Sequence, residues 1–158
     1  MTTRVDLFDP DYLQEDLALV DGDLAFDEQG DFQTVQDAAN VVASFRRILA
    51  TPLNALSRFV HDVDPYRLVV TMQNYGNGAY ALLSEPLGPG LTLAMRHAIQ
   101  ACADQEERLV LLEVQPRIEP TERGATLAMD VFYRVRGTPD DQFTLMTVNP
   151  FTQELELR

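Results

Sequence analysis

Apolar positions recur at three- and four-residue spacing through Val35, Ala38, Ala39, Val42, Phe45, Ile48 and Leu49. That spacing predicts a helix with one buried face. Thr34 reads as its N-cap, with Asp37 in the capping-box position and at the positive end of the helix dipole. Arg46 and Arg47 suit its last turns, and Thr51-Pro52 stops it, because a residue before proline avoids the helical region. A second helix is predicted to begin at Pro89, a residue favoured at the first helical position. Leu91, Ala94, Met95, Ala98, Ile99 and Cys102 form its buried stripe, and Ala103 to Glu107 close it.

After the second helix the period changes from that of a helix to that of a strand. Arg108 to Gln115 reads as one strand. Leu127, Met129, Val131, Tyr133 and Val135 then alternate with a more polar set, the mark of a half-buried strand. Gly137 to Asp141 makes a hairpin loop, Phe143 to Val148 returns, and Asn149-Pro150 breaks the pairing. Phe151 to Leu157 adds a last strand or hangs free. Earlier in the chain, Asp23 to Phe26, the turn at Asp27-Glu28-Gln29-Gly30 and Phe32 suggest a small hairpin. Arg67 to Met72 reads as a strand within an ambiguous stretch that starts at Leu53. Asn74-Tyr75-Gly76-Asn77-Gly78 is a tight loop with positions suited to positive φ, and Ala79 to Leu83 a short helical turn. The expected fold is α+β, an antiparallel sheet with two main helices packed on one face. The expected organisation is an acidic N-terminal arm over 1–22, a domain over 23–150, and a C-terminal tail or edge strand over 151–158.

Composition narrows the function. The chain has 158 residues, 46% of them hydrophobic, which suits one globular core. Its first twenty or so residues are acidic and broken by Pro10, unlike a signal peptide, so the product is expected to be soluble and to stay where it is made or to leave by a route that needs no cleaved signal. No apolar run suits a membrane span. The net charge of −13 argues against nucleic acid and anionic membranes as partners. Much of the excess acid lies between Met1 and Asp37. The basic residues are all arginines, which suit bidentate contacts with carboxylates.

Candidate chemistry is sparse. The single cysteine, Cys102, excludes an internal disulfide and a cysteine-rich zinc site, and His61 and His97 are too few for a three-histidine centre. Cys102 falls on a buried stripe, where a core role outweighs a nucleophilic one. His97 lies off that stripe beside Arg96, as a solvated residue would, and His61 sits among loop acids. The acid-rich Asp21 to Asp31 stretch lacks the ligand alternation of a calcium loop, and no phosphate-binding glycine loop is present. Glu85, before Pro86 at the entrance to the second helix, is the one acid singled out, either for a fixed partner or for the free amides of that helix. The Glu/Asp/Thr spacing of small phage lysozymes fails. Glu28 and Asp37 fit its first interval, but Ala43 stands where threonine is required. No cofactor or metal is expected.

The order of the pieces is more telling than any one of them. Asp23 to Phe32 precedes a helix ending in Arg46-Arg47-Ile48-Leu49-Ala50-Thr51-Pro52. Tyr75-Gly76-Asn77-Gly78, Leu83-Ser84-Glu85-Pro86-Leu87, a helix and Leu112-Glu113-Val114 follow. This succession resembles the baseplate wedge, sheath-initiator family of contractile phage tails, type VI secretion and extracellular contractile injection systems, which an older label describes as lysozyme-like. The resemblance implies a non-enzymatic subunit assembled in the bacterial cytoplasm and carried in a virion or injection particle. Its implied partners are larger baseplate wedge subunits, sheath protein and inner tube or hub proteins, with six copies per baseplate. It assigns wedge contacts to Glu85, Pro86, Leu87, Tyr75, Gly76 and Arg96. Leu87 stands where the family has arginine, and Arg96 is the candidate replacement. Sheath contact by strand addition is assigned to Phe143, Leu145, Thr147, Phe151 and Leu155. Two other readings are weighed against this one: a peptidoglycan hydrolase using Glu85, and a small acidic adaptor.

Overall fold

The computed structural model describes residues 15–17, 19–20, 23–26, 28–31, 33–55, 74–122 and 124–158. Phe32, His61 and the expected strand over Arg67 to Met72 lie outside them. The described fold is α+β, with two helices on one face of a four-stranded antiparallel sheet.

The chain enters through β1 (Glu15–Leu17), β2 (Leu19–Val20), β3 (Asp23–Leu24) and β4 (Thr34–Gln36). β2 pairs with β3, while β1 pairs antiparallel with β4, Asp16 opposite Val35. Glu15–Leu17 thus pairs within its own chain, although it falls in the stretch read as an arm. The turn at 28–30 closes through Gln33, whose amide donates to the Ala25 carbonyl (2.9 Å) and whose side-chain amide donates to that of Phe26 (3.0 Å).

Helix α1 (Asp37–Ala50) begins three residues after the expected cap. Thr34 and Val35 are β-branched, and β1 supplies their ladder bonds, so the strand wins over the cap. Asp37 has φ 55°, a left-handed conformation that aspartate tolerates better than most residues, and it turns strand into helix. Val41, Phe45 and Leu49 are fully buried. The helix stops as expected at Thr51-Pro52, with the Thr51 hydroxyl donating to the Arg47 carbonyl (2.7 Å).

Helix α2 (Pro89–Ala103) carries proline in its first turn and buries Leu91, Met95, Ile99, Cys102 and Ala103. The sheet follows as β5 (Leu109–Thr121), β6 (Gly124–Val135), β7 (Asp141–Asn149) and β8 (Glu154–Leu157), in spatial order β5-β6-β7-β8. Its inner face presents Leu127, Met129, Val131, Tyr133 and Val135 of β6, with Met146 and Val148 of β7, all buried. Phe45 of α1 meets Tyr133 edge-on, with ring centroids 4.9 Å apart. The Tyr133 hydroxyl is satisfied by Thr144 (3.1 Å). Each such side chain contributes roughly 1.5–3 kcal/mol by leaving water.

β5 runs well past the Gln115 end expected from sequence. Pro116 and Pro120 argue against a central strand, but β5 lies at the sheet edge, where a missing donor costs nothing. Phe151 to Leu157 does not hang free: β8 pairs with β7, Val148 opposite Leu155, and Leu155 and Leu157 pack against the core.

Candidate partner-binding surfaces

The loop from Asn74 to Gly78 has the positive φ values its sequence suggests, 66° at Asn74 and 109° at Gly76, yet it is a buried joint. A Cβ on Gly76 would lie 2.6 Å from the Thr51 carbonyl oxygen, so only glycine fits. Both polar backbone groups of Gly76 are taken by one side chain, Gln105, which accepts from its amide (2.8 Å) and donates to its carbonyl (2.9 Å). Asn77 is fully buried. Its side chain donates to the Leu49 carbonyl (2.9 Å) and accepts from the Ala79 amide (2.9 Å), capping the 3-10 helix Gly78–Leu82. Its backbone amide reaches the Thr51 carbonyl (2.7 Å). Asn77 therefore ties the end of α1 to the next segment. Sequence reading saw a turn here and missed both Asn77 and Gln105, whose roles exist only once distant carbonyls are in place. Gly76, a candidate wedge contact, is buried, with both its backbone groups bonded inside the chain. Tyr75 is half-buried; burial pushes its hydroxyl pKa up, Arg47 opposes that, and Glu106 adds to it.

Glu85, Pro86 and Leu87 follow, with Glu85 and Pro86 exposed and Leu87 half-buried. The Glu85 amide closes a turn on the Leu82 carbonyl (3.0 Å). Gly88 is the N-cap of α2, and among the described residues the Glu85 carboxylate accepts no hydrogen bond from the amides of that helix. Leu82, Glu85, Pro86, Leu87, Leu91 and Ala94 line a shallow, mainly apolar groove of about 350 Å³. Arg96 is not part of it. Arg96, His97 and Gln100 line a second groove with Leu111, Leu112, Glu113 and Val114 of β5. Glu85 and Arg96 thus line different grooves.

The strand-addition candidates divide likewise. Phe143, Leu145 and Thr147 are on β7, which β6 flanks on one side and β8 on the other from Leu145 onward. Phe151 is exposed, but its ring lies over Gly124, where a Cβ would collide with it. Leu155 is on a strand with no neighbour on its outer side among the described residues, and Phe143 lies on β7 before β8 begins to cover it. Leu145 and Arg158 exchange both backbone hydrogen bonds (3.0 and 2.8 Å). Alternation along an antiparallel pair then turns the N–H and C=O of Leu155 and Leu157 outward.

The opposite edge differs. The Arg136 amide donates to the Arg108 carbonyl (2.8 Å), which sets the phase between β5 and β6. With the bulge between Leu111 and Glu113, that phase points Val114, Pro116, Ile118 and Pro120 outward. Two of those four outward positions have no N–H to offer.

Three further ionisable groups, Glu106, Asp130 and Cys102, serve structure. Burial opposes the charge of Glu106, but hydrogen bonds from Arg108 and Ser44 outweigh it and hold the carboxyl below the usual carboxylate range. Arg108 meets both Glu106 oxygens at 2.6 Å. Asp130 receives two bonds from Arg117 (2.6 and 2.8 Å), which lower its pKa and pin β5 to β6. Cys102 is buried, and desolvation pushes its thiol up to about 12, far from a thiolate nucleophile. Among the described residues, no cluster of His, Cys, Asp and Glu is placed to hold a metal ion, and no helix is long and apolar enough to cross a membrane.

No protein-family model matches the sequence, and no curated protein matches it. The fold is similar to a chain of the 6-fold symmetrised cryo-EM structure of the anti-feeding prophage baseplate. The two share 16% identity at a TM-score of 0.59, over 83% of this chain and 92% of that one. At that identity the likeness establishes a shared fold.

Proposed function

We propose that this chain is a structural baseplate subunit of a contractile injection particle. In this reading it clamps larger wedge subunits through the Glu85–Leu87 loop and its apolar groove. It starts sheath assembly by accepting a strand along β8. What carries the reading is the fold it shares, over most of both chains, with a chain of an assembled baseplate. The edge of β8 supplies the means: the amides and carbonyls of Leu155 and Leu157, which have no strand neighbour among the described residues, accept an extended segment without any change in this domain. Partners are then wedge subunits, sheath protein and inner tube or hub proteins, and a six-fold baseplate takes six copies. The chain assembles in the bacterial cytoplasm and ends in the particle.

Capture of the tagged chain from its native host, read by mass spectrometry, tests the assembly role. Recovery of wedge, sheath and tube proteins is expected. Recovery of the chain alone would reduce the likeness to fold and return attention to the acidic adaptor and to cell-wall hydrolysis, the latter tested by turbidity clearing and Glu85→Gln.

A further inference from the structure

The second groove, between α2 and the start of β5, has no part in the proposal above. Its floor and far wall are Leu111, Leu112 and Val114, with Leu112 brought to the surface by the bulge. Its near wall is the exposed row Arg96, His97 and Gln100. Among the described residues most arginines of the sheet and its turns are engaged. Arg108 is paired with Glu106, Arg117 with Asp130 and Glu119, Arg134 with Asp141, Arg158 with Glu156, and Arg136 donates to the Glu107 carbonyl. Arg96 has no ion pair or hydrogen bond among them. In a chain of net charge −13, a guanidinium left unpaired above an apolar trough selects for a carboxylate from outside.

We infer that this groove binds a short, extended acidic segment of a partner protein. A carboxylate meets Arg96, with the His97 imidazole beside it, and an apolar side chain lies on Leu111, Leu112 and Val114. The cavity, about 430 Å³, suits a few residues of extended chain better than a helix, whose width alone is about 10 Å. Pro116 and Pro120 deprive a longer added strand of donors beyond Val114, so recognition rests on side chains over a short stretch. Nearby Glu113 penalises a carboxylate on the β5 side and so fixes which way the acid faces.

The test is titration of the full, isotopically labelled chain with an acetylated, amidated hexapeptide of alternating glutamate and leucine, followed by amide NMR shifts. Saturable shifts confined to 93–100 and 110–115 are expected. Arg96→Gln, an exposed change that leaves the fold intact, should weaken binding about tenfold. Replacing the peptide's glutamates by glutamines should cause a similar loss. Leu112→Glu should abolish binding while α2 and β5 keep their own spectra. Equal binding of the glutamine peptide would overturn the proposal, and so would shifts mapping to β8. Concentration-dependent shifts without peptide, marking a second copy of the chain in the groove, would overturn it as well. None of these results depends on whether the chain belongs to a baseplate.

Discussion

The two edges of the sheet carry opposite solutions to one physical problem. β5 and β8 both end a four-stranded sheet and both leave backbone donors and acceptors without a neighbouring strand among the described residues. On β5 the outward positions are Val114, Pro116, Ile118 and Pro120, so an added strand would lose every second donor. A bulge further breaks the register at Leu111/Glu113. On β8 the outward positions are Leu155 and Leu157, both able to donate, and their side chains are anchored against the core. One edge is closed to strand addition and the other is left available. On the proposed reading, a partner strand joins on the β8 side only, and sheath growth starts there.

Transplanting proline from one edge to the other should have the largest effect. Leu157→Pro removes an outward N–H, and it is expected to lower sheath nucleation on baseplates more than tenfold, scored by electron microscopy. Leu157→Val keeps the amide and should nucleate normally. If both variants nucleate equally, the β8 edge has no such role. The reverse exchange, Pro116→Val with Pro120→Thr, should open β5. Concentration-dependent self-association in sedimentation is expected, and a strictly monomeric double variant would show that the prolines do not guard that edge.

Acid should act on the pins that hold this frame. Glu106 and Asp130 both have folded pKa values below their ordinary ones. Their stabilisation is therefore whole above the ordinary carboxylate range and is lost as pH falls through the depressed folded values. The thermal midpoint should drop steeply below about pH 4. Glu106→Gln should cost about 2 kcal/mol at neutral pH, because Arg108 loses its charged partner, and should flatten that acid limb. An unchanged limb would remove Glu106 from the account. The smallest effect is expected from Glu85→Ala. It should weaken wedge co-purification with no shift in thermal midpoint, since the Glu85 side chain has no hydrogen bond or ion pair among the described residues; unchanged co-purification would take Glu85 out of the interface.

Much of this frame was legible in the sequence, and the parts that were not share a cause. Helical spacing located α1 and α2, and alternation located β6, because those side chains answer to a single core. Thr34 misled, since its fate depended on β1 supplying a ladder. β5 looked short because proline signals an end to a strand, except at an edge, and edges are a property of the whole sheet. Asn77 and Gly76 sat inside a recognisable turn, but their burial depends on Gln105, Leu49 and Thr51 arriving from elsewhere. Arg96 was named as a replacement for the arginine expected at position 87, and it lines a different groove from Glu85, a placement that depends on how α2 packs against β5. The likeness in the order of motifs pointed to a baseplate chain, and the shared fold supports the same reading.

The most direct measurement is amide hydrogen exchange at single-residue resolution, comparing the free chain with the assembled particle. Leu155 and Leu157 should exchange readily when the chain is free and become strongly protected on assembly, while Ile118 stays unprotected in both. Absence of new protection at Leu155 and Leu157, or protection that appears at Ile118 instead, would contradict β8 as the edge on which this protein builds.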